Sequence, residues 1–163
     1  MNHTIQLKMF DVIVWAVSLL FAFGLLVGEA MAESRGISAS NATWKAECGS
    51  CHIAYPPALL PGASWQRLIG NLQRHFGTDA STDAAAVQDL SAWLVANAGS
   101  YKRVREPPPE DRITRSAWFV RKHDEIAAAT WKSPAVKSAA NCNACHARAD
   151  QGEFNEHEVR IPR

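Results

Sequence analysis

The sequence is short of methionine, cysteine and tyrosine, and it has no excess of either charge. All three methionines, Met1, Met9 and Met31, lie at the N-terminal end, so residues 33–163 contain none. Lys and Arg number 17 against 16 Asp and Glu, a formal net charge of +1. Such a balance leaves no broad electrostatic footprint for nucleic acid, whose binders carry a basic face or stripe. No Asn-Gly or Asp-Gly pair separates alternating apolar runs, so the usual hairpin signal is missing and no substantial sheet is expected. Nine Gly and eight Pro are ordinary amounts, which removes collagen-like and low-complexity readings. Apolar residues are plentiful. At 47% hydrophobic and 20% charged, the chain is a folding one rather than a disordered tail.

One long apolar run is present, Val12 to Val27, preceded by Lys8 and followed by the small-x-small triplet Ala30-Met31-Ala32. This is the layout of a secretory signal peptide over residues 1–32, cleaved after Ala32, although Asp11 at the mouth of the run is out of keeping. The alternative is a retained membrane anchor, and the run falls just short of the roughly 17–25 residues that span a bilayer. Residues 33–163 are enough for one compact domain. Export places them in an oxidising compartment, where paired cysteines can become disulfides.

The four cysteines form two pairs, each followed at once by histidine: Cys48-Gly49-Ser50-Cys51-His52 and Cys142-Asn143-Ala144-Cys145-His146. This is the spacing of c-type haem attachment. Two thiols three positions apart can each form a thioether to one vinyl group of the same porphyrin, and the next residue is held beneath the iron. Zinc would need four ligands per closed site and would leave both histidines surplus. Short disulfides would not require the histidine, and a thioredoxin-like motif would need a βαβ setting. Every cysteine is used in a duplicated pentapeptide. Two covalently bound haem c groups, with iron, are therefore expected.

Without methionine beyond residue 31, Met/His ligation is excluded for the exported chain. Its irons are bis-histidine, carry a weaker ligand, or stay open for a substrate. His52 and His146 are the proximal ligands, which leaves His75, His123 and His157 for two distal positions. His75 closes a segment, Ser64 to Phe76, in which Trp65, Leu68, Ile69 and Leu72 recur at helical spacing. Ser64 reads as its N-cap and Gly77 as its stop. His123 lies one turn after Phe119 in a second helical stretch, capped by Thr114 or Ser116. His157, between Glu156 and Glu158, reads as a solvated surface residue. His75 follows His52 by as many residues as His123 precedes His146. The local pairing is His52 with His75 and His146 with His123; a crossed pairing stays open.

The expected fold is mainly α, a small helical domain with long loops, much of whose core is haem. A helix from about Asn41 leads into the first motif. The loop from His52 to Pro61 is stiffened by prolines and offers a carbonyl to the His52 Nδ1–H. A helix over Asp83 to Ala98 is stopped by Gly99. The haem 1 half covers about residues 33–99, a Pro-rich connector 100–112, and the haem 2 half 113–163. The connector holds Lys102, Arg103, Arg105 and the extended run Pro107-Pro108-Pro109. Its basic cluster is either a solvated stretch or a docking patch for an acidic partner. Ser133 and Pro134 open a final helix into the second motif, and Phe154 and Ile161 anchor an irregular tail. Trp44, Trp65, Trp93, Trp118 and Trp131 add flat apolar surface, so the haem-free chain is expected to be largely unfolded.

The chain resembles the small bacterial dihaem cytochromes c, the DHC family. The resemblance is carried by Glu47 to His52 with Tyr55-Pro56-Pro57 and Leu60-Pro61, and by His75-Phe76-Gly77 before Asp79-Ala80. It continues through Ile113-Thr114, Trp118-Phe119, His123, Ala140 to Cys142, Cys145-His146 and Ile161-Pro162. It implies a periplasmic electron carrier with both haems bis-histidine ligated, and carries distal ligation onto His75 and His123. The partners it implies are redox proteins, a membrane-bound b-type cytochrome and a small oxygen-binding haem protein.

A bis-histidine iron offers no vacant site and exchanges electrons only, at a potential below those of Met-ligated relatives. The expectation is a monomeric low-potential electron carrier, not an enzyme. The rival is a peroxidase-like or other small-molecule reductase with one open iron, for which Asp124, Glu125 or His157 would be the acid/base group.

Overall fold

Asn41 opens the first helix among the described residues by accepting the Trp44 N–H on its side chain at 2.9 Å, which satisfies one of the free donors of the first turn. That helix, α1, spans Ala42–Cys48, so the first cysteine is its last residue and the rest of the pentapeptide leaves the helix. The structure, a computed structural model, describes residues 40–162. The leader, its cleavage point and the apolar run all lie outside the described residues. Four more α-helices follow among the described residues: α2 (Gly62–Ile69), α3 (Ala84–Ala96), α4 (Ala117–Lys122) and α5 (Ala128–Lys132). Short 3₁₀ turns and long loops join them, with no strand among the described residues; one isolated antiparallel bridge links His75 and Thr78. The fold is the mainly helical, sheet-free one expected. No described helix is long and apolar enough to cross a membrane.

The core gathers where α1 and α2 pack on α3, and consists of Trp44, Leu60, Trp65, Ile69, Leu90 and Leu94. Pro56 and Pro57 are buried with it, and the Trp65 indole N–H donates to the Pro57 carbonyl at 2.8 Å. The proline loop is thereby fixed beside the first cysteine pair. After residue 112 burial is thin: Phe119, Val136 and Ala149 are the buried hydrophobic residues among those described.

Three helix expectations need correction. α2 ends at Ile69 rather than running to Phe76, because Gly70 and Asn71 do not sustain it; a 3₁₀ turn (Leu72–Arg74) follows, and His75 sits in the loop beyond. Its N-cap is Pro61, and Ser64 is a fully buried interior residue. α3 stops at Ala96, with the Asn97 side chain bonded back to the Trp93 carbonyl at 2.8 Å. Gly99 serves close approach instead: its N–H donates to Leu60 O at 2.9 Å, and a Cβ there would lie 2.4 Å from Ala58 O. No helix runs from Ser133 into the second motif. Burying Val136 takes Lys137 to φ +67°, outside helical space, and only a 3₁₀ turn forms at Cys142–Ala144.

The connector also departs from an extended rod. Pro108 is polyproline-like (φ −72°, ψ 161°), but residues 101–106 turn around buried Val104 and a 3₁₀ turn closes at Pro109–Asp111. Ile161 is half exposed, whereas Phe154 meets the ring of His146 with centroids 5.3 Å apart.

Candidate functional site

Each cysteine pair presents its histidine to a second one from a different element. His52 follows α1 and faces His75, the residue after the Leu72–Arg74 turn, with ring centres 6.2 Å apart. His146 follows the Cys142–Ala144 turn and faces His123, the C-cap of α4, also at 6.2 Å. Two imidazoles gripping one metal ion from opposite sides, each at about 2 Å, hold their ring centres about 6 Å apart. The structure thus brings together the local pairs, His52 with His75 and His123 with His146. His157 joins neither. It is exposed on a 3₁₀ turn at Glu156–Glu158, and Asp124 and Glu125 are exposed after α4.

The imidazoles are oriented by their neighbours. His52 Nδ1 lies 2.6 Å from Ile53 O, an acceptor within the proline loop, and His123 Nδ1 lies 2.9 Å from Phe119 O. A ring that donates from Nδ1 keeps its Nε2 lone pair for a metal. The Nδ1 of His75 is buried and makes no hydrogen bond within the protein. Burial depresses the His75 basicity first, then the nearby His52 and Arg112; burial and His123 do the same at His146. Both shifts favour the neutral ring, the form a metal needs.

Aromatic rings cover these pairs. Tyr55 stacks on His52 at 4.7 Å, and Phe119 on His123 at 4.0 Å. Trp131 lies within 6.2 Å of Phe119 and 5.9 Å of His123. Tyr55 also donates its hydroxyl to Ala140 O at 2.6 Å, tying the first site to the chain that enters the second motif.

All four thiols are unpaired. Burial, with Glu47 beside it, pushes Cys48 up to about 11, and burial pushes Cys142 to about 11 as well. No three His, Cys, Asp or Glu side chains converge as a metal cage among the described residues. Unpaired thiols, imidazole pairs at the span of one ion and flanking aromatics fit a covalently held haem at each motif.

Sequence reasoning missed a latch beside His75. Arg67 on α2 donates to both Asp111 oxygens, at 2.8 and 2.6 Å, and the Arg112 guanidinium lies 4.1 Å from the Phe76 ring centre. No periodicity or motif announces it; the contacts join segments far apart in the chain. Hydrogen bonds from Arg67 hold the Asp111 carboxyl below its ordinary range. The folded state therefore binds its proton less readily than the unfolded state, so the stabilisation is complete above the ordinary value near 3.8 and is lost as pH falls through the lowered one. Thermal unfolding followed against pH should show a step below pH 4 that Asp111→Asn removes.

The profile of the family described as dihaem cytochrome c, DHC, matches residues 44–154. The diheme cytochrome type c from Shewanella baltica OS155 is a similar solved structure: 41% identity over 75% of this chain and 93% of that one, TM-score 0.66. DHC purified from Rhodobacter sphaeroides is 40% identical, covering 71% of this chain and 98% of that one, TM-score 0.63. No curated protein matches.

Proposed function

Since the chain belongs to the dihaem cytochrome c family and carries two covalently bound c-type haems, we propose that it is a periplasmic, low-potential electron carrier with both irons bis-histidine ligated. The observation behind this reading is the duplicated imidazole pair, each 6.2 Å between ring centres and each containing one Cys-x-x-Cys-His histidine. Cys48 and Cys51, together with His52 and His75, would hold haem 1. Cys142 and Cys145 would hold haem 2 with His146 and His123.

Bound haem supplies reversible one-electron exchange at iron. The chain's own residues do the rest. Ile53 O and Phe119 O fix the ring orientation of one histidine in each pair. Tyr55 stacks on His52, and Phe119 and Trp131 flank His123. Neutral imidazole on both sides favours ferric iron more than thioether ligation does, hence the low potential. The partners are redox proteins: a membrane-bound b-type cytochrome as donor and a small haem protein as acceptor.

Visible spectroscopy and mass spectrometry of the native product test this. The expected result is a reduced spectrum unchanged by carbon monoxide, from a protein whose mass is that of residues 33–163 plus two haems. A carbon monoxide shift in the wild type would mean an open iron and defeat the bis-histidine reading; a full-length mass would defeat the cleaved, freely diffusing carrier.

A further inference from the structure

Backbone strain in the described residues is concentrated beside one of the two imidazole pairs. Of four non-glycine residues at positive φ, three lie there: Phe76 (51°), Glu110 (57°) and Asp111 (56°). Left-handed backbone at such residues is costly and persists where surrounding contacts over-determine it. Those contacts are ionic. Asp111 is held by Arg67, while Glu110 lies between Arg112, at 3.1 Å, and Arg115. The outcome is to set the Arg112 guanidinium on the face of Phe76, whose ring centre is 4.8 Å from that of His75. One carboxylate shared by two guanidiniums leaves net positive charge in that trio.

The second pair has the opposite arrangement. Arg148, two residues after His146, is shared by Glu153 and Glu158, and Lys122, next to His123, pairs with Glu156. One guanidinium between two carboxylates leaves net negative charge. A fixed cation favours the reduced, less positive state of a neighbouring redox centre, and a fixed anion the oxidised state.

We propose that Arg112 is a positioning residue of the first site that raises the midpoint potential of haem 1 above that of haem 2, so that the electron rests first on the N-terminal haem. This goes further than the two-haem, bis-histidine reading and rests on it. The Phe76 stack matters because it pins a side chain that would otherwise swing into water, where its field is screened.

A redox titration of the holoprotein, with the two haems resolved by NMR, tests the proposal. Arg112→Gln should lower the haem 1 midpoint and narrow the gap, leaving haem 2 in place. Arg112→Lys, which keeps the charge but loses the planar stack, should restore part of the gap. Glu110→Gln, which removes the anion but keeps an amide oxygen to hold Arg112 on the Phe76 face, should shift haem 1 upward, a direction that simple loosening of the loop does not produce. An unmoved gap, or equal shifts of both midpoints in Arg112→Gln, would overturn the inference while the bis-histidine reading stands. If Arg112→Gln does not accumulate with both haems, Glu110→Gln decides, and a fall or no change at haem 1 overturns it. A wild type that binds carbon monoxide overturns the reading beneath it.

Discussion

Replacing His75 by alanine is expected to leave both haems attached and turn one iron into a centre that binds carbon monoxide. The attachment chemistry belongs to Cys48 and Cys51, which the substitution does not touch. His75 supplies only the second imidazole, from a loop joined to α2 through Gly70, Asn71 and one 3₁₀ turn. Its Nδ1 has no partner, so little else in the fold is lost with it. His123→Ala should open the other iron, with a larger stability cost, since the lost ring also stacks on Phe119 at 4.0 Å and bonds its carbonyl. His157→Ala should change neither spectrum nor haem content. Carbon monoxide difference spectra of the three variants are the measurement, and an iron opened by His157→Ala would refute the distal assignment.

The second large effect is an asymmetry between the motifs. A Cys142→Ala, Cys145→Ala protein should carry one haem and lose order from about residue 113 onward, while residues 44–96 keep their packing. Fully burying a large apolar side chain contributes roughly 1.5–3 kcal/mol, and ordering a residue costs about 1–2 kcal/mol in backbone entropy. Phe119 and Val136 cannot offset that for the whole C-terminal segment. Around the first site, Trp44, Leu60, Trp65, Ile69, Leu90 and Leu94 already pack on one another. Limited proteolysis with mass readout should show cuts beyond residue 113 and a retained N-terminal fragment. Equal protection of both segments would show that the C-terminal part is held by protein contacts alone.

Much of the site was legible because haem attachment imposes a local covalent pattern. The Cys-x-x-Cys-His spacing and the His123 one turn after Phe119 are short-range facts, and the structure stacks the His123 ring on Phe119. Asn41, Asp83 and Ser116 were legible as helix starts for the same reason: each side chain bonds a backbone N–H two or three residues on. The His75 segment misled because Leu68 and Leu72 keep the helical period across Gly70-Asn71. Both still face the core, yet the chain reaches it through a 3₁₀ turn. The Ser133-Pro134 start was a sound local signal overridden by burial of Val136. The latch of Arg67, Asp111, Arg112 and Phe76 was not legible at all. It depends on α2 and the loop beyond it meeting residues 109–112, and on three residues held in a backbone region their types disfavour.

So lopsided a distribution of buried side chains sets a timetable for biogenesis. The N-terminal portion can collapse around its own porphyrin before the rest of the chain has received its cofactor. The remainder stays a pliable thread until its cofactor arrives, which keeps Cys142 and Cys145 within reach of the enzyme that must join them. Maturation then runs in the order of synthesis, and the Tyr55 hydroxyl reaching Ala140 is among the last contacts to close.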